Sequence, residues 1–573
     1  MGMIQTQKVE EDLHVALPNN PFVPPSGDVC FINSLPPELL SRIFEVGSAD
    51  DGTEDEDDVS VDCWENLCRN WKSDAKGDNE KDGDIEIEGE VEDADEEGDE
   101  EWTDEENDSD ATGSSHLSPS WPPFPIVVSH VCRHWRNIAF STPSLWTTIV
   151  VPSEARPPYE FESTLLERSK SLPVDIYINC EPDDDDDSDS DIGPPSDADL
   201  ESLFSILVPH IHRWRTMEVA VAEYRNMYVF LSAVSDPSIP PASQLKTLEL
   251  YHHEEMEEFD NFGFPCMSKH FTLFGGSAPL LVKVVLWGVH VDWNQPWIAS
   301  SSNLTDLELA FHPEDVRPSW TQFVTILRGA FALEKLSLRQ SGPSGEPPEW
   351  FIEPTPGGPA DINAPIQLLR VTDLILAFHS QARAIGLLRK LYLPAIKSLT
   401  LDFDEGDYTD FVHELAGPAT SLVTQEQPHS LLSMLEKLKI AGLPCDPPCI
   451  ELLYGELQNL TSLTISLSYL PHFFLDILAT SCRLPGRSSA WLPRLTTLYV
   501  SGTFGTAVRY LVEKRREAGV PLSSLYVEES CDVEDEDIEW LKKNVEIFDF
   551  FEGSDDDDDV VDFEDLHEEI DMW

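Results

Sequence analysis

The hydrophobic positions of the chain follow one recurring pattern, apolar-x-x-apolar-x-apolar. A weaker copy, Trp214/Met217/Val219, is followed by ten strong copies in chain order, about 31 residues apart on average. The ordered series predicts a repeat protein, because a single copy would be common in any leucine-bearing chain. The strong copies are Leu245/Leu248/Leu250, Leu281/Val284/Leu286, Leu304/Leu307/Leu309, Leu333/Leu336/Leu338, Val371/Leu374/Leu376, Ile396/Leu399/Leu401, Leu435/Leu438/Ile440, Leu460/Leu463/Ile465, Leu495/Leu498/Val500 and Leu522/Leu525/Val527.

The end of each copy predicts a short β-strand, because alternate side chains of a strand point to the same face. Helical stretches at 323–328, 382–390 and 506–517 lie between these strands. One strand and one helix cannot bury their own apolar faces, so neighbouring units must stack. The pattern therefore predicts an α/β protein with parallel strands and helices. An irregular α/β fold with leucine-bearing strands but no continuous solenoid is the alternative.

The repeats resemble an irregular leucine-rich-repeat solenoid, which implies parallel strands on a concave side and helices outside. The Asn or Cys that usually follows the strand is mostly missing, which predicts a weaker backbone ladder in the turns. We predict that this domain covers residues 160–530. It opens with a helix, a turn and a strand at 165–176, followed by an amphipathic helix at Leu203–His212.

Two shorter helical patterns precede the repeats, on either side of a long polar stretch. The first begins at Pro36 and Pro37, which fit a first helical turn. Its apolar stripe is Leu35, Leu39, Leu40, Ile43 and Phe44. The second is expected to end at Pro143, with Arg133, His134 and Arg136 on its polar side. Its apolar stripe is Val128, Val131, Cys132, Trp135 and Ile138. Such small amphipathic units usually dock on something else.

Together the two pieces, LPPELLSRIF and VSHVCRHWRNIAFSTPSLW, resemble the F-box of the large fungal F-box families. The resemblance covers about 40 residues and implies a helical surface that binds the Skp-type adaptor of a cullin–RING ubiquitin ligase. The residues that would build this surface are Leu35, Pro36, Leu39, Ile43, Val131, Trp135 and Trp146. We place the F-box at 28–150, split by an insert at 49–124 that departs from the family pattern. The alternative is that the two helices cap a larger domain.

The formal net charge of −71 is concentrated in a few stretches. Residues 50–110 hold 30 Asp or Glu against 4 Lys or Arg, and residues 528–573 hold 22 against 2. Such runs predict disorder in the insert, in an acidic loop at 181–199 and in a C-terminal tail at 531–573. The N-terminal segment 1–27 is also predicted to be disordered. This acidity argues against nucleic-acid binding, which needs Lys and Arg to replace counterions.

The chain shows no N-terminal signal and no long apolar run, which predicts an intracellular protein of the cytoplasm, the nucleus or both. Its 10 cysteines are expected to be free thiols. Cys445 and Cys449 lack a nearby second pair, so we expect no metal. Lys514–Arg515–Arg516 could be a nuclear signal, although the polar face of a helix at 508–517 is the favoured interpretation.

No catalytic constellation or cofactor motif is evident, so we expect a non-enzymatic receptor. The F-box would hold the adaptor and the repeat domain would bind an unknown target protein. The alternative is a repeat scaffold or acidic binder of basic proteins that joins no ligase. Candidate target-contacting positions alternate with the buried leucines, and each also fits a plain solvated face. They are Lys246, Glu249, Lys283, Asp306, Glu308, Lys335, Arg339, Lys437 and Lys439.

Overall fold

A computed structural model describes residues 32, 35–50, 124–180, 195–252, 271–299, 301–350, 363–403, 406–418, 430–468, 470–481 and 490–551. Side chains in the first helix are described up to residue 48. The predicted segment 1–27, nearly all of the insert 49–124, most of the loop 181–199 and residues 552–573 lie outside the described residues. The chain divides into two compact units. A helical unit lies within Met1–Glu54, Pro119–Thr147 and Leu166–Leu172, and a sheet unit contains the rest.

The helical unit is built from short helices on both sides of the insert. Pro37 opens the first helix, as its fixed backbone angle favours. Pro143 ends the third helix and begins a short 3-10 helix, as predicted. The elements are α1 (Pro37–Asp50), α2 (Phe124–Val131), α3 (Arg133–Ser141) and the 3-10 helix Pro143–Trp146. Leu166–Leu172, which includes the end of α4 (Glu160–Arg168), also belongs to this unit.

The sheet unit contains a fourteen-stranded parallel sheet whose strand order follows the chain order. Its strands are β1 (Thr148–Val151), β2 (Val174–Cys180), β3 (Trp214–Val221), β4 (Thr247–His252), β5 (Lys283–Trp287), β6 (Asp306–Ala310), β7 (Lys335–Arg339), β9 (Asp373–Ala377), β11 (Ser398–Asp402), β12 (Lys437–Gly442), β13 (Ser462–Ser466), β14 (Thr497–Ser501), β15 (Ser524–Glu528) and β16 (Ile547–Phe551). The short strands β8 (Ile366–Gln367) and β10 (Leu391–Tyr392) form a separate parallel pair.

Helices connect most of these strands, and the predicted helices at 323–328, 382–390 and 506–517 are confirmed. Parallel neighbours in chain order require right-handed crossovers, which place the connecting helices on one face of the sheet. Successive helices accordingly pack on one another. They are α5 (Asp197–Leu207), α6 (Tyr224–Val234), α7 (Pro296–Ala299), α8 (Trp320–Gly329), α9 (Gln381–Lys390), α10 (Thr409–Ala416), α11 (Pro447–Glu456), α12 (Phe473–Leu478), α13 (Gly505–Glu517) and α14 (Asp535–Asn544).

The apolar repeat positions form the core of the sheet unit. Every residue of the eleven predicted copies is buried, and none is more than 4% exposed. Leu248 and Leu250 lie beside Val284 and Leu286 on the next strand, and the same register continues along the sheet. The prediction of a mixed α/β protein with stacked parallel strands is therefore confirmed.

The sheet extends beyond both predicted limits of the repeat domain, residues 160 and 530. The sheet begins at β1, before residue 160, and ends at β16, inside the segment predicted to be an acidic tail. Neither β1 nor β16 contains the complete apolar-x-x-apolar-x-apolar pattern, so this pattern did not predict the two end strands. The acidic start of α14 favours a helix, because carboxylates in the first turn interact favourably with the positive end of the helix dipole.

Buried polar groups occupy the position three residues after the last apolar position in three successive units. His312 Nδ1 lies 2.8 Å from Ser341 Oγ, and its Nε2 lies 3.0 Å from the carbonyl of Val289. His379 Nε2 lies 3.0 Å from the carbonyl of Leu338. These side chains link neighbouring units by hydrogen bonds, at positions where the sequence has neither Asn nor Cys.

The residue after a strand also extends the ladder. Phe311, Gln340 and Phe378 all adopt a left-handed backbone conformation. The backbone N–H groups of Phe311 and Phe378 donate to Arg339 O and Asp402 O, each over 2.8 Å. The cost of positive φ in a residue with a side chain is thus offset by one more bond between neighbouring units.

Arg515 does not lie on a solvated helical face, contrary to our interpretation of the basic triplet. It is buried and donates from Nη1 to Trp491 O over 3.1 Å and from Nη2 to Leu492 O over 3.0 Å. Burial lowers the pKa of its guanidinium to about 10. Arg515 therefore satisfies buried carbonyls of the preceding loop, and it is not available as part of a signal.

We expect Gly442→Ala to destabilise the sheet unit by about 1–3 kcal/mol through overpacking. Gly442 lies where the register between β11 and β12 shifts, and a Cβ there would lie 2.5 Å from the carbonyl oxygen of Phe403. Neither backbone segment can move without breaking the Phe403 N–H bond to Gly442 O. Urea unfolding checks this, with Ser466→Ala at the end of β13 as the control. Equal unfolding free energies for the two variants would contradict the packing argument.

Candidate functional site

The core of the helical unit is assembled from both sides of the insert. Leu40 and Phe44 of α1 are buried, as are Val128 of α2 and Ile138 of α3. The rings of Phe44 and Trp135 lie 5.0 Å apart between centroids. The two pieces therefore pack as one unit although a long segment separates them in sequence.

Hydrogen bonds also join the two pieces. Thr142 Oγ1 donates to Ser41 Oγ over 3.0 Å, and Ser144 Oγ donates to Glu45 Oε1 over 2.7 Å. The bond from Ser144 lowers the pKa of the Glu45 carboxyl. These contacts fix the angle at which the 3-10 helix meets α1.

The second predicted stripe is interrupted at Cys132. We expected one continuous helix through Val128, Cys132 and Ile138, but the chain forms α2 and α3 with Cys132 as the N-cap of α3. Cys132 is extended, and its Sγ accepts a hydrogen bond from Trp135 N over 3.4 Å. A cap needs a non-helical residue, so the stripe is divided and Val131 points away from the core.

Apolar side chains that take no part in this core are exposed on all three helices. Leu39 is 52% exposed, Ile43 45% and Val131 56%. In α1, Leu39 and Ile43 lie beside the buried stripe of Leu40 and Phe44, so this helix has two adjacent apolar stripes. The exposed set was only partly predicted, and it also includes Val46, Val127 and Phe140. Val46 continues the helical spacing of Leu39 and Ile43, which is the signal that could have found it.

The other predicted adaptor-contacting residues divide between surface and core. Pro36 is exposed, whereas Leu35 and Trp135 are half-buried. Trp146 was expected on the binding surface, but it is only 1% exposed and its Nε1 donates to Ala139 O over 2.9 Å. The guanidinium of Arg168 lies 4.5 Å from its ring centre. Trp146 thus belongs to the core of the helical unit.

The sheet has an open face, which we define as the side opposite the buried leucines. On this face Lys283, Asp306, Lys335 and Asp373 stand side by side on four successive strands. Burial raises the pKa of Asp306, while Lys335 and Lys283 act in the opposite direction. Alternating charges on neighbouring strands attract one another, so this row stabilises the register of the sheet.

Two predicted contact positions on the open face are buried. Glu249 accepts a bond from Tyr251 Oη over 2.6 Å and lies 3.0 Å from Lys283 Nζ. Arg339 Nε lies 3.4 Å from Glu308 Oε1. Their expected exposure is wrong, because both are buried and each lies beside a counter-charge on a neighbouring strand.

The open face changes character toward its C-terminal strands. Lys437 is exposed and Lys439 half-buried on β12. The matching positions on the flanking strands are the hydroxyl residues Ser398, Thr400, Ser462 and Thr464. Beyond them, the rings of Tyr499 and Tyr526 stack 4.5 Å apart. This part of the face is therefore polar and partly exposed.

Within the described ranges, no three His, Cys, Asp or Glu side chains are placed to share a metal ion. Cys449 Sγ lies 3.7 Å from His413 Nε2, and burial raises the pKa of Cys445 to about 12. A thiol with such a pKa is protonated near neutral pH and is a poor metal ligand. None of the helices in the described part of the chain could cross a membrane.

No protein-family model matches the chain, and no curated protein matches it in sequence. The exposed apolar surface of the helical unit and the open face of the sheet unit are therefore the two candidate binding sites, on structural grounds alone.

Proposed function

We propose that this chain is the substrate-recognition subunit of a cullin–RING ubiquitin ligase. Its helical unit would be an F-box that binds a Skp-type adaptor, and its sheet unit a leucine-rich-repeat solenoid that binds a target protein. The observation that carries this proposal is the exposed apolar surface formed by Leu39, Ile43, Val46, Val127 and Val131. It supports the implication of the F-box resemblance.

This surface has the properties of a docking site. Its five apolar side chains are exposed on α1 and α2, while the core of the helical unit is already filled by Phe44 and Trp146. Leu39, Ile43 and Val46 follow one another at helical spacing along α1, so they form a stripe and are not scattered single positions. Exposed apolar side chains grouped in this way mark interaction sites in soluble proteins. Helical grooves and surfaces of this kind accept amphipathic helices of a partner.

The proposed role requires no catalytic residue in this chain. The ligase would supply ubiquitin transfer through its other subunits, and this chain would supply proximity. Holding a target beside the transfer machinery raises its effective concentration, which accelerates reaction without new chemistry. The open face, with its exposed Lys437 and the stacked pair Tyr499 and Tyr526, offers the sheet unit a surface for that target.

We expect Leu39→Ser/Ile43→Ser/Val131→Ser to abolish co-purification with a fungal Skp-type adaptor, reducing the affinity at least 100-fold. Each substituted side chain is about half exposed. The variant should therefore keep the unfolding midpoint of the intact chain while losing apolar contact area. Pull-down and calorimetric titration with purified adaptor measure the effect. Phe331→Ser, at an exposed apolar position in the sheet unit, is the matched control.

Two results would contradict the proposal. Equal adaptor binding by the intact chain and the triple variant would exclude this surface. Absence of binding by a well-folded intact chain would instead favour the acidic scaffold, whose binding to a basic protein such as a histone should weaken as salt increases.

A further inference from the structure

The last strand of the sheet, β16, is hydrogen-bonded on one side within the described residues. It pairs with β15, and the N–H of Ile547 donates to Ser523 O over 2.9 Å. At its other end, Phe551 O accepts from Glu529 N over 3.0 Å. Alternate residues of a parallel strand direct their backbone groups to the same neighbour. Phe548 and Phe550 therefore direct theirs to the open edge.

The strand β16 is as apolar as an interior strand, but its side chains remain partly exposed to solvent. Phe548 and Phe550 stand beside Leu525 and Val527, which are completely buried. Both phenylalanines are nevertheless half-exposed, and Ile547 is 48% exposed. A short aromatic strand with a free edge is a template for the addition of another strand.

Asp549 gives this edge a chemical preference. It is the central and most polar residue of β16, and it is exposed. Its Oδ1 accepts a hydrogen bond over 3.1 Å from the N–H of Phe550, one of the two amides that face the open edge. An incoming strand must displace this bond and leave the carboxylate beside its own central residue. A cation at that position compensates the carboxylate, whereas an acidic residue is repelled.

Two occupants from the chain itself fit poorly. A second copy that paired symmetrically and antiparallel with the full strand would place two copies of Asp549 directly opposite each other, and facing like charges destabilise a sheet. Residues 552–573 contain 12 Asp or Glu and no Lys or Arg, so this segment has no Lys or Arg to place beside Asp549 and its carboxylates would repel that residue. Asp is also among the residues least suited to strands.

We propose that β16 binds an extended segment of another protein as an additional strand. The segment has Lys or Arg beside Asp549 and an apolar residue on each side of this cation. Because successive side chains alternate between the faces, the cation lies on the open face with Asp549. The two apolar residues lie beside Phe548 and Phe550 and cover them. This site is independent of the proposed adaptor surface.

The test uses the full-length chain and three fluorescein-labelled peptides in fluorescence anisotropy. The first is Gly-Thr-Val-Lys-Val-Thr-Gly, and the second has Glu in place of Lys. The third is the Lys peptide N-methylated at both valines and at the lysine, which removes N–H donors toward β16 for either direction of the added strand. We expect the Lys peptide to bind at least tenfold more tightly than the other two. Asp549→Lys should reverse the order of the Lys and Glu peptides. The control Glu201→Lys, an exposed position on α5, should leave that order unchanged.

Each of three outcomes would overturn the proposal. The first is equal or absent binding of the Lys and Glu peptides by the folded intact chain. The second is a dimer in light scattering that dissociates on Asp549→Lys, which would identify a second copy as the occupant. The third is binding of the Lys peptide only after removal of residues 552–573, which would identify this segment as the occupant. Circular dichroism of each variant verifies that the sheet is intact.

Discussion

Replacing Trp146 with alanine is expected to lower the unfolding free energy of the helical unit by about 3–5 kcal/mol. The indole is almost completely buried, its Nε1 donates to Ala139 O, and Phe140 packs 5.9 Å from it between ring centres. Truncation would leave a cavity and remove one of the two hydrogen bonds that Ala139 O accepts, the other coming from Thr142 N over 3.1 Å. Adaptor binding should be lost as a consequence of unfolding.

Hydrogen exchange of backbone amides in α1 and α3, followed by mass spectrometry, measures this effect. Protection should fall by about two to four orders of magnitude, since 1.4 kcal/mol corresponds to a factor of ten. Val131→Ser, which alters an exposed side chain, should leave protection nearly unchanged. Equal loss of protection in the two variants would contradict the core position of Trp146. Loss of adaptor binding by Trp146→Ala with full protection would instead make Trp146 a binding residue.

The sheet unit is expected to lose stability as the pH falls below about 6.5, in part because of His312 and His379. The pKa of each imidazole is lowered to about 3, mainly by burial and, for His379, also by the nearby Arg383 and Arg317. Unfolding restores a pKa of about 6.5, so the unfolded state binds more protons between these two values. The stabilisation is complete above pH 6.5 and is lost progressively toward pH 3, at up to about 1.4 kcal/mol per pH unit for each histidine.

Urea unfolding of the intact chain and of His312→Asn/His379→Asn between pH 7 and pH 4 tests this prediction. Asparagine does not titrate, so the variant should show a smaller slope of unfolding free energy against pH. The remaining slope reflects the many carboxylates. His134→Asn alters an exposed histidine of the helical unit and serves as the control. Parallel curves for the double variant and the intact chain would mean that these histidines are not held neutral.

The sheet could be predicted from the sequence because burial repeats there with a fixed spacing. Leu336 and Leu338, for example, are identifiable as core residues from the triplet alone, and they are fully buried. The ends of the sheet lack the triplet. The strand β16 instead combines Phe548 and Phe550 with an acidic approach, and the charge pattern favoured a disordered tail. In that prediction the acidic composition of the segment outweighed the weak strand pattern of β16. The strand becomes evident only from its pairing with β15.

The exposed apolar surface of the helical unit was less predictable, because periodicity identifies an apolar helix but not the side that is buried. Leu39 and Leu40 are adjacent leucines of α1, yet Leu39 is exposed and Leu40 is fully buried. The choice between them depends on α3, which arrives from beyond the insert and packs Trp135 on Phe44. Similarly, Cys132 is a helix cap because the chain turns between α2 and α3. The helical spacing of apolar residues does not reveal such a turn.

The distance between α1 and its partners also has a consequence for synthesis. Residues 51–123 separate the end of α1 from the start of α2. At about 5–20 residues per second, a ribosome needs about 4–15 s to produce them. A helix forms within about a microsecond, so Leu40 and Phe44 emerge long before the residues that cover them. Each new chain therefore presents an incomplete apolar helix for seconds, which is long enough for a chaperone to bind it.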